Sequence, residues 1–477
     1  MKKTLSCGLL QQSIDDQMVT SGTAAEDMGA YEQEAERVNN CIAQRNPDLS
    51  ILLFADNHTY AREKYMKYSR IMSQGVIDYQ IGLGDFVDYS HASKAVASKH
   101  LADCIQKAGK KPNCFYAYGN HDVGICGVNT GGTGLDVVMT PKENYTIFGA
   151  HLADNKNVVV DAKNPYGGYY FVDDEKSKIR MIILNTSDVF REENGAYAYF
   201  RYKSTLRVSQ TQLTWFAETA LSFGDKKNPS DWAVIVFGHE YNPYWGNLIL
   251  LEILEAVQEG KAFRKTSTVY QRLAENGDGT YGPEVNTVHG DTYSVDVDYA
   301  VQGPVTVMGF IHGHNHVDTQ SVICGINCIQ VRCDSGELDR YYMAPCEAGL
   351  KGNFYFKDKS GHIYTFESSE IADAASIGYN YYWTDAKMTP APISVFDKRG
   401  IRITSVSCKY SETVPKGAAQ ITGFVAERDG SSVANESCEV LCIDKESRTL
   451  TFVPYGTGTQ RMVPYARAVQ TGDRCSK

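Results

Sequence analysis

The sequence predicts an α/β protein built on a layered sheet, and three observations predict it. Short apolar runs of strand length recur along the first two thirds of the chain. The stretches between the early runs carry apolar residues at helical spacing. Five of the runs end in a cluster of Asp, His or Asn accompanied by Gly. Alternating strands and helices imply a sheet with helices packed on it. In such folds, polar residues at the C-terminal ends of strands face the ligand crevice.

The first run, Leu49–Ala55, ends in Asp56-Asn57-His58, and the second, Val76–Leu83, ends in Gly84-Asp85. The third, Cys114–Tyr118, ends in Gly119-Asn120-His121-Asp122. The fourth, Trp232–Phe237, ends in Gly238-His239, and the fifth, Val305–Ile311, leads to Gly313-His314-Asn315-His316. Each has strand composition. A helix is expected from about Tyr31 to Arg45, stopped by Pro47. Ala61, Tyr65, Tyr68 and Met72 follow i, i+4, i+7, i+11, and Ala97, Leu101, Cys104 and Ile105 follow i, i+4, i+7, i+8, so two more helices are expected. The strand-like run Ile179–Leu184 precedes Ser209-x-x-Gln212, a capping-box pattern ahead of Leu213, Phe216, Ala217 and Leu221. Leu248–Val257 reads as a buried helix. Residues 274–297, rich in Gly, Thr, Asp and Asn, read as a long loop of the kind that often serves as a lid. After Val317 the texture turns to β, with strand-like runs at Phe354–Phe356, His362–Phe366 and Ile401–Ser407.

The chain has 477 residues, more than one core usually needs, so one large domain with a decoration or second module is expected. Its net charge of −10 argues against general affinity for nucleic acid or an anionic membrane, because counterion release needs a basic face. A small cationic pocket made by bound metal stays compatible with that charge. The 13 cysteines include no C-x-x-C pair, and Cys324, Cys328, Cys333, Cys438 and Cys442 sit in apolar runs. They read as buried reduced thiols and point to a reducing, cytoplasmic setting. Met1-Lys2-Lys3 invites a signal-peptide reading, but Thr4–Leu10 is too short and polar for one. No run reaches the ~18 apolar residues of a membrane span.

The strand-end clusters carry the chemistry. Carboxylate, imidazole and amide oxygen together suit borderline divalent metals: manganese, iron, zinc, cobalt or nickel. The strand-end clusters hold enough such donors for two ions. A pair of dications ~3.5–4 Å apart needs a shared anionic ligand, and Asp85 is the natural bridge. Water between the ions becomes hydroxide and serves as nucleophile, and phosphate esters, whose oxygens span both metals, are the natural substrates.

The order Asp-x-His, Gly-Asp, Gly-Asn-His-Asp, Gly-His, Gly-His-x-His resembles the calcineurin-like metallophosphoesterases, with all five blocks present between residues 56 and 316. The resemblance implies a β-sandwich flanked by helices. It implies that Asp56, His58 and His316 hold one ion, and that Asn120, His239 and His314 hold the other, with Asp85 bridging. His121 is implied to face the phosphate, stabilise developing charge and protonate the leaving oxygen, with Asp122 fixing its imidazole. The run Cys438–Thr451 followed by Tyr455-Gly456-Thr457-Gly458 resembles the closing strand pair of bacterial and phage members. The expected organisation is therefore a lead-in and helix over 1–45, a catalytic domain over 46–335, a β-rich insertion over 336–430, and the closing pair over 431–477.

Other residues carry two readings each. Asp88 either lies near the site or caps a helix. Tyr241, Tyr244 and Trp245 either stack on a leaving group at the rim or cover the core. His312 reads as structural or as a support to the ligands. Arg332 and Arg340 have no spacing that ties them to phosphate, and His91, His100, His151, His289 and His362 read as ordinary. The function expected is hydrolysis of phosphate mono- or diesters. The alternative is a phage- or envelope-associated binding protein that keeps a phosphoesterase domain. Loss of metal ligands would mark a non-catalytic module, and here every ligand is present.

Overall fold

The computed structural model describes residues 25–59, 62–87, 94–123, 139–188, 191–193, 196–198, 208–241, 248–272, 288–316, 318–334, 341–345, 349–357, 362–380, 392–396, 402–421, 433, 436–456 and 460–466. Two mixed sheets face each other. The first has six strands in the spatial order Arg461–Pro464, Thr449–Gly456, Ser437–Asp444, Leu49–Phe54, Tyr79–Gly82, Cys114–Tyr116. The second has seven, in the order Thr319–Ile323, Ile326–Gln330, Thr306–His312, Ala233–Phe237, Ile179–Ile183, Tyr170–Asp174, Val158–Val160.

Strand periodicity explains the layering. Along Leu49–Phe54 every residue is buried, because alternate side chains enter different cores. Ile51 and Leu53 point between the sheets, where they join Ile81, Phe115, Met181, Ile235, Phe237, Met308 and Leu441. Leu52 and Phe54 point outward to Val38, Ile42, Tyr68, Ile71, Leu101 and Ile105, residues of the flanking helices. The second sheet repeats the scheme: Ile182, Val234 and Val236 meet Leu213, Phe216, Leu250 and Leu254 on its outer face. The result is a β-sandwich with helices on both outer faces, an arrangement that requires near-continuous apolar strands.

Helices occupy Ala25–Arg45, Met66–Ser73 (after a 3₁₀ turn over Arg62–Tyr65), Lys94–Ala108, Pro141–Phe148, Gln210–Trp215 and Leu248–Glu259. The capping pattern at Ser209 is half realised. The Ser209 hydroxyl accepts the Gln212 N–H at 3.1 Å, but the Gln212 side chain turns away to bond the backbone of Asn185 and the carboxylate of Asp188. The expected loop over 274–297 is corrected for residues 288–297, which form a strand, while 274–287 lie outside the described residues. Ala262–Arg272 and Val288–Asp298 pair as an antiparallel hairpin, whose tip lies outside the described residues. Thr and Ser residues of the two strands form cross-strand pairs on an exposed face, Thr266 with Ser294 and Thr268 with Thr292. Tyr293 and Val295 alternate with them and bury in the second sheet's outer core.

The strand Ser437–Asp444 pairs antiparallel with Leu49–Phe54, with Leu441 opposite Ile51. Residues 437–464 therefore complete the sheet that starts near the N-terminus. Between the two sheets' last strands lie two four-stranded sheets over residues 341–420, with a separate small core of Leu350, Phe356, Tyr364, Phe366, Ile377, Ile393 and Val395. The described cysteines carry free thiols. Among the described residues, no helix is long and apolar enough to cross a membrane.

Candidate metal centre

Parallel strands in both sheets end on one rim. Leu49–Phe54, Tyr79–Gly82 and Cys114–Tyr116 are parallel to each other, as are Ile179–Ile183, Ala233–Phe237 and Thr306–His312. The turns that follow them converge, laced by backbone bonds: Asp56 N–H to Gly84 C=O at 2.9 Å, His58 N–H to Asp85 C=O at 3.0 Å, and Gly313 N–H to His239 C=O at 2.9 Å. Asp56, His58, Asp85, His314 and His316 all have positive φ, from 44° to 81°. For residues other than Gly this costs about 1–3 kcal/mol each and persists only where surroundings enforce it. Close approach does so here. A Cβ on Gly119 would stand 2.2 Å from the Asp85 backbone N and carboxylate, and one on Gly313 would stand 2.7 Å from the Asp56 carboxylate.

Two half-sites result. In the first, His316 Nε2 lies 3.6 Å from Asp56 Oδ1 and 3.1 Å from His58 Nε2. In the second, His239 Nε2 lies 3.0 Å from Asp85 Oδ2, 3.1 Å from Asn120 Oδ1 and 3.2 Å from His314 Nδ1. His314 Nδ1 is also 3.1 Å from Asn120 Oδ1. Asp85 reaches both, since His58 Nε2 lies 3.6 Å from its Oδ2. Ligand atoms of Asp56, His58 and His316, and of Asp85, His239 and His314, lie close enough to hold one ion each.

The outer contacts fix which nitrogen points inward. His239 Nδ1 donates to the Leu83 carbonyl at 2.8 Å, which turns Nε2 toward the cluster. His314 turns Nε2 toward the Glu240 carboxylate at 3.6 Å and Nδ1 inward. Asn120 Oδ1, Asp85 Oδ2, His239 Nε2 and His314 Nδ1 thus converge through contacts of 3.0–3.2 Å, a set of oxygen and nitrogen ligand atoms that suits a divalent cation. The electrostatics agree. Burial pushes Asp56 up to about 7, with the charge of Asp85 adding to it. Burial opposes charge on His239, yet the Asp85 carboxylate beside it overrides this and raises it to about 10. The pocket thus demands positive charge where these ligand atoms meet. Burial holds His58 and His314 well below the usual histidine range, suiting neutral imidazole ligands.

His121 lies at the edge of the cluster, where it forms a third such group of ligand atoms with His58 and Asp85. Its side chain is 19% exposed, its ring meets His58 edge-on at 4.4 Å, and its Nε2 lies 3.9 Å from Asp85 Oδ2. Its backbone N–H donates to Asp85 Oδ1 at 2.8 Å. The carboxylate of Asp122, expected to orient the His121 imidazole, accepts the backbone N–H groups of Asp85, Phe86 and Gly119 at 2.8–3.0 Å. It clamps the turn that presents Asp85.

The peripheral candidates divide. Asp88, Tyr244 and Trp245 lie outside the described residues, as do Arg340, His91 and His289. Tyr241 is 8% exposed and packs on Phe310 and His312, with ring centroids 5.5 and 5.6 Å away, so core packing is the reading that its placement favours. His312 is buried against the same rings, and burial lowers it to about 4. Arg332 is buried. The sequence reading passed over Glu240, which faces His314, and Asn57 and Asp334 behind Asp56. Glu240 directly follows a ligand and could have been flagged on that ground. Asp334 follows an apolar strand, and no motif marks it.

The pattern of the calcineurin-like phosphoesterases matches residues 49–318, more than half of the chain. The chain belongs to this family. Calcineurin-like enzymes hydrolyse phosphoesters with two divalent metal ions, and this chain is a metal-dependent phosphoester hydrolase. Comparison with curated proteins finds no significant match. Solved structures with a similar chain path include a dimetal phosphatase from Danio rerio, at 11% identity and a TM-score of 0.39, covering 76% of this chain and 100% of that one. Another is a purple acid phosphatase from yellow lupin seeds, at 12% identity and a TM-score of 0.30, covering 87% and 54%. Likenesses this distant carry no argument about substrate.

Proposed function

We propose that this calcineurin-like enzyme hydrolyses phosphate mono- or diesters at two metal ions, one held by Asp56, His58 and His316, the other by Asn120, His239 and His314, with Asp85 shared. The observation that carries this reading is the convergence of ligand atoms of His239, Asn120, Asp85 and His314 through contacts of 3.0–3.2 Å at the strand ends. When bound, the ions supply an acidified water and charge neutralisation for the phosphate oxygens. The chain's own residues do the rest. Leu83 and Glu240 orient the His239 and His314 rings from their outer sides. Asp85 is held in place by the Asp122 clamp and the His121 N–H. His121, whose side chain at 19% exposure is more open than those of His58 and His314, approaches the substrate from the rim and protonates the leaving oxygen.

The catalytic unit in this reading comprises residues 46–335 and 431–477, with 336–430 inserted before the closing strands. The test is purified chain supplied with manganese, nickel or zinc and assayed on paired aryl phosphate mono- and diesters. Turnover of either class that needs two ions per chain supports the reading. Saturation at one ion, or metal-independent turnover, overturns it.

A further inference from the structure

Behind the half-site of Asp56, His58 and His316 lies a buried polar cluster that the reaction does not touch. Asp334 is 2% exposed. Its Oδ1 accepts the Ser437 backbone N–H at 2.6 Å. Its Oδ2 accepts the Tyr68 hydroxyl, accepts the Asn57 side-chain amide at 3.3 Å, and lies 2.7 Å from Lys67 Nζ. Lys67, itself buried, also pairs with Glu436. Asn57 stands between two ligands in sequence and donates to the Tyr68 hydroxyl at 2.6 Å. The main chain repeats the link. Asp334 N–H donates to the Ala55 carbonyl at 2.9 Å, and the Cys333 thiol to the Asp56 carbonyl at 2.9 Å.

The turn 55–58 is therefore gripped from behind by residues 333–334, by the helix carrying Lys67 and Tyr68, and, through Asp334, by the start of the late strand at Ser437. That grip falls where the backbone needs it, since Asp56 and His58 both hold left-handed conformations, at φ 54° and 44°. A buried ion pair is a poor source of net stability compared with apolar packing, so stability alone is a weak reason for a Lys and two carboxylates here. Hydrogen-bonded partners behind metal ligands, in contrast, commonly control metal affinity.

We propose that Asp334 is a positioning residue for the first ion, and that through it the closing strand conditions that half-site. The proposal rests on the reading that Asp56, His58 and His316 hold an ion. The second half-site takes its side-chain anchors from Leu83, Asp122 and Glu240 and meets the Asp56 turn through the His314 N–H on the Asp56 carboxylate, so the effect should fall chiefly on the first ion. The test is equilibrium binding of manganese to chelator-stripped full-length protein, with free ion read by electron paramagnetic resonance, alongside thermal unfolding of the metal-free form. In Asp334→Asn, one of two ions is expected to bind about 10–100-fold more weakly, the other little changed. In a His316→Ala background, Asp334→Asn should have little further effect on the remaining ion. Tyr68→Phe, which leaves the carboxylate in place, should weaken the same ion by less and supplies the readout if Asp334→Asn does not fold. Unchanged affinities, or both ions weakened together with a fall in Tm, would overturn the proposal while leaving two-ion binding intact. Wild type that binds fewer than two ions would instead overturn the reading beneath it.

Discussion

The two half-sites share Asp85 but are held in different ways. The second takes its support from its own motif blocks: Leu83 fixes His239, Asp122 clamps the Asp85 turn, and Glu240, next in sequence to His239, faces His314. The first has bonds to the motif blocks too, from Asp56 to Gly84 and from His58 to Asp85, but adds support from afar: Asp334, itself bonded by Ser437, lies hundreds of residues from the Asp56 turn it reaches. The second half-site thus comes with its anchors whenever its strands pair. The first needs the closing strand as well. A chain can therefore carry a complete ligand signature and still have one metal position that depends on how its far end folds.

The most severe way to break this contrast is to remove residues 431–477. The strand Leu49–Phe54 would lose its antiparallel neighbour along the register from Leu49 opposite Ile443 to Leu53 opposite Glu439. An apolar edge would open in the sheet that carries Asp56, and exposed edges of this kind aggregate. An insoluble or inactive product is expected. A truncation at Gly430 that stays soluble with full turnover would make the late segment dispensable, and the contrast between half-sites would fall with it. Next in size is Asp85→Asn, which strikes both half-sites at their shared carboxylate. Loss of several kcal/mol of charge stabilisation implies roughly a 10³-fold or greater fall in turnover, and elemental analysis should find fewer than two ions. Two tightly held ions in this variant would show that the half-sites do not share Asp85.

This asymmetry also explains what the sequence made legible. The strand ends and their Asp, Asn and His residues were readable because a metal ligand must be a particular side chain at a particular turn, and the five turns follow five apolar runs. The sandwich was readable for a related reason: strands buried on both faces, such as Leu49–Phe54 and Ala233–Phe237, are continuous apolar runs. What holds the ligands was not readable. Asp334 meets Asn57 only after the Ile326–Gln330 strand is laid in the second sheet and Ser437 in the first. Nothing in Arg332-Cys333-Asp334 distinguishes it from a solvated strand end. The strand Val288–Asp298 was hidden for another reason. It lies in a stretch whose Gly, Thr, Asp and Asn have loop composition, and only one of its faces, with Tyr293 and Val295, is buried.

A third variant should leave both half-sites filled. His121→Ala removes no ligand in the proposed set, so both ions should remain while kcat falls by about 10²–10⁴-fold, the usual worth of a positioned proton donor. The loss should shrink for esters with good leaving groups, which need no proton. Equal losses for aryl and alkyl esters would assign His121 to charge stabilisation instead. Loss of metal would make it a ligand and would blur the boundary between rim and half-site.

The smallest effect expected is the one that sharpens the contrast most. Glu240 is buried, and its Oε1 lies 3.6 Å from His314 Nε2, on the side of the ring away from the cluster. A carboxylate there raises the basicity of the inward-facing Nδ1 and keeps the ring from turning. Glu240→Gln preserves shape and a hydrogen-bonding group but removes the charge. It should weaken the second ion by about tenfold, near the lower end of what such partners contribute, and leave the first ion unchanged. Asp334→Asn is expected to do the reverse. The two variants, titrated side by side with the same metal, therefore form a crossed test. If each weakens a different ion, the half-sites have separate supports, one local and one long-range. If both weaken the same ion, or both weaken the two ions together, the support is common and the division between half-sites ends at the ligands themselves.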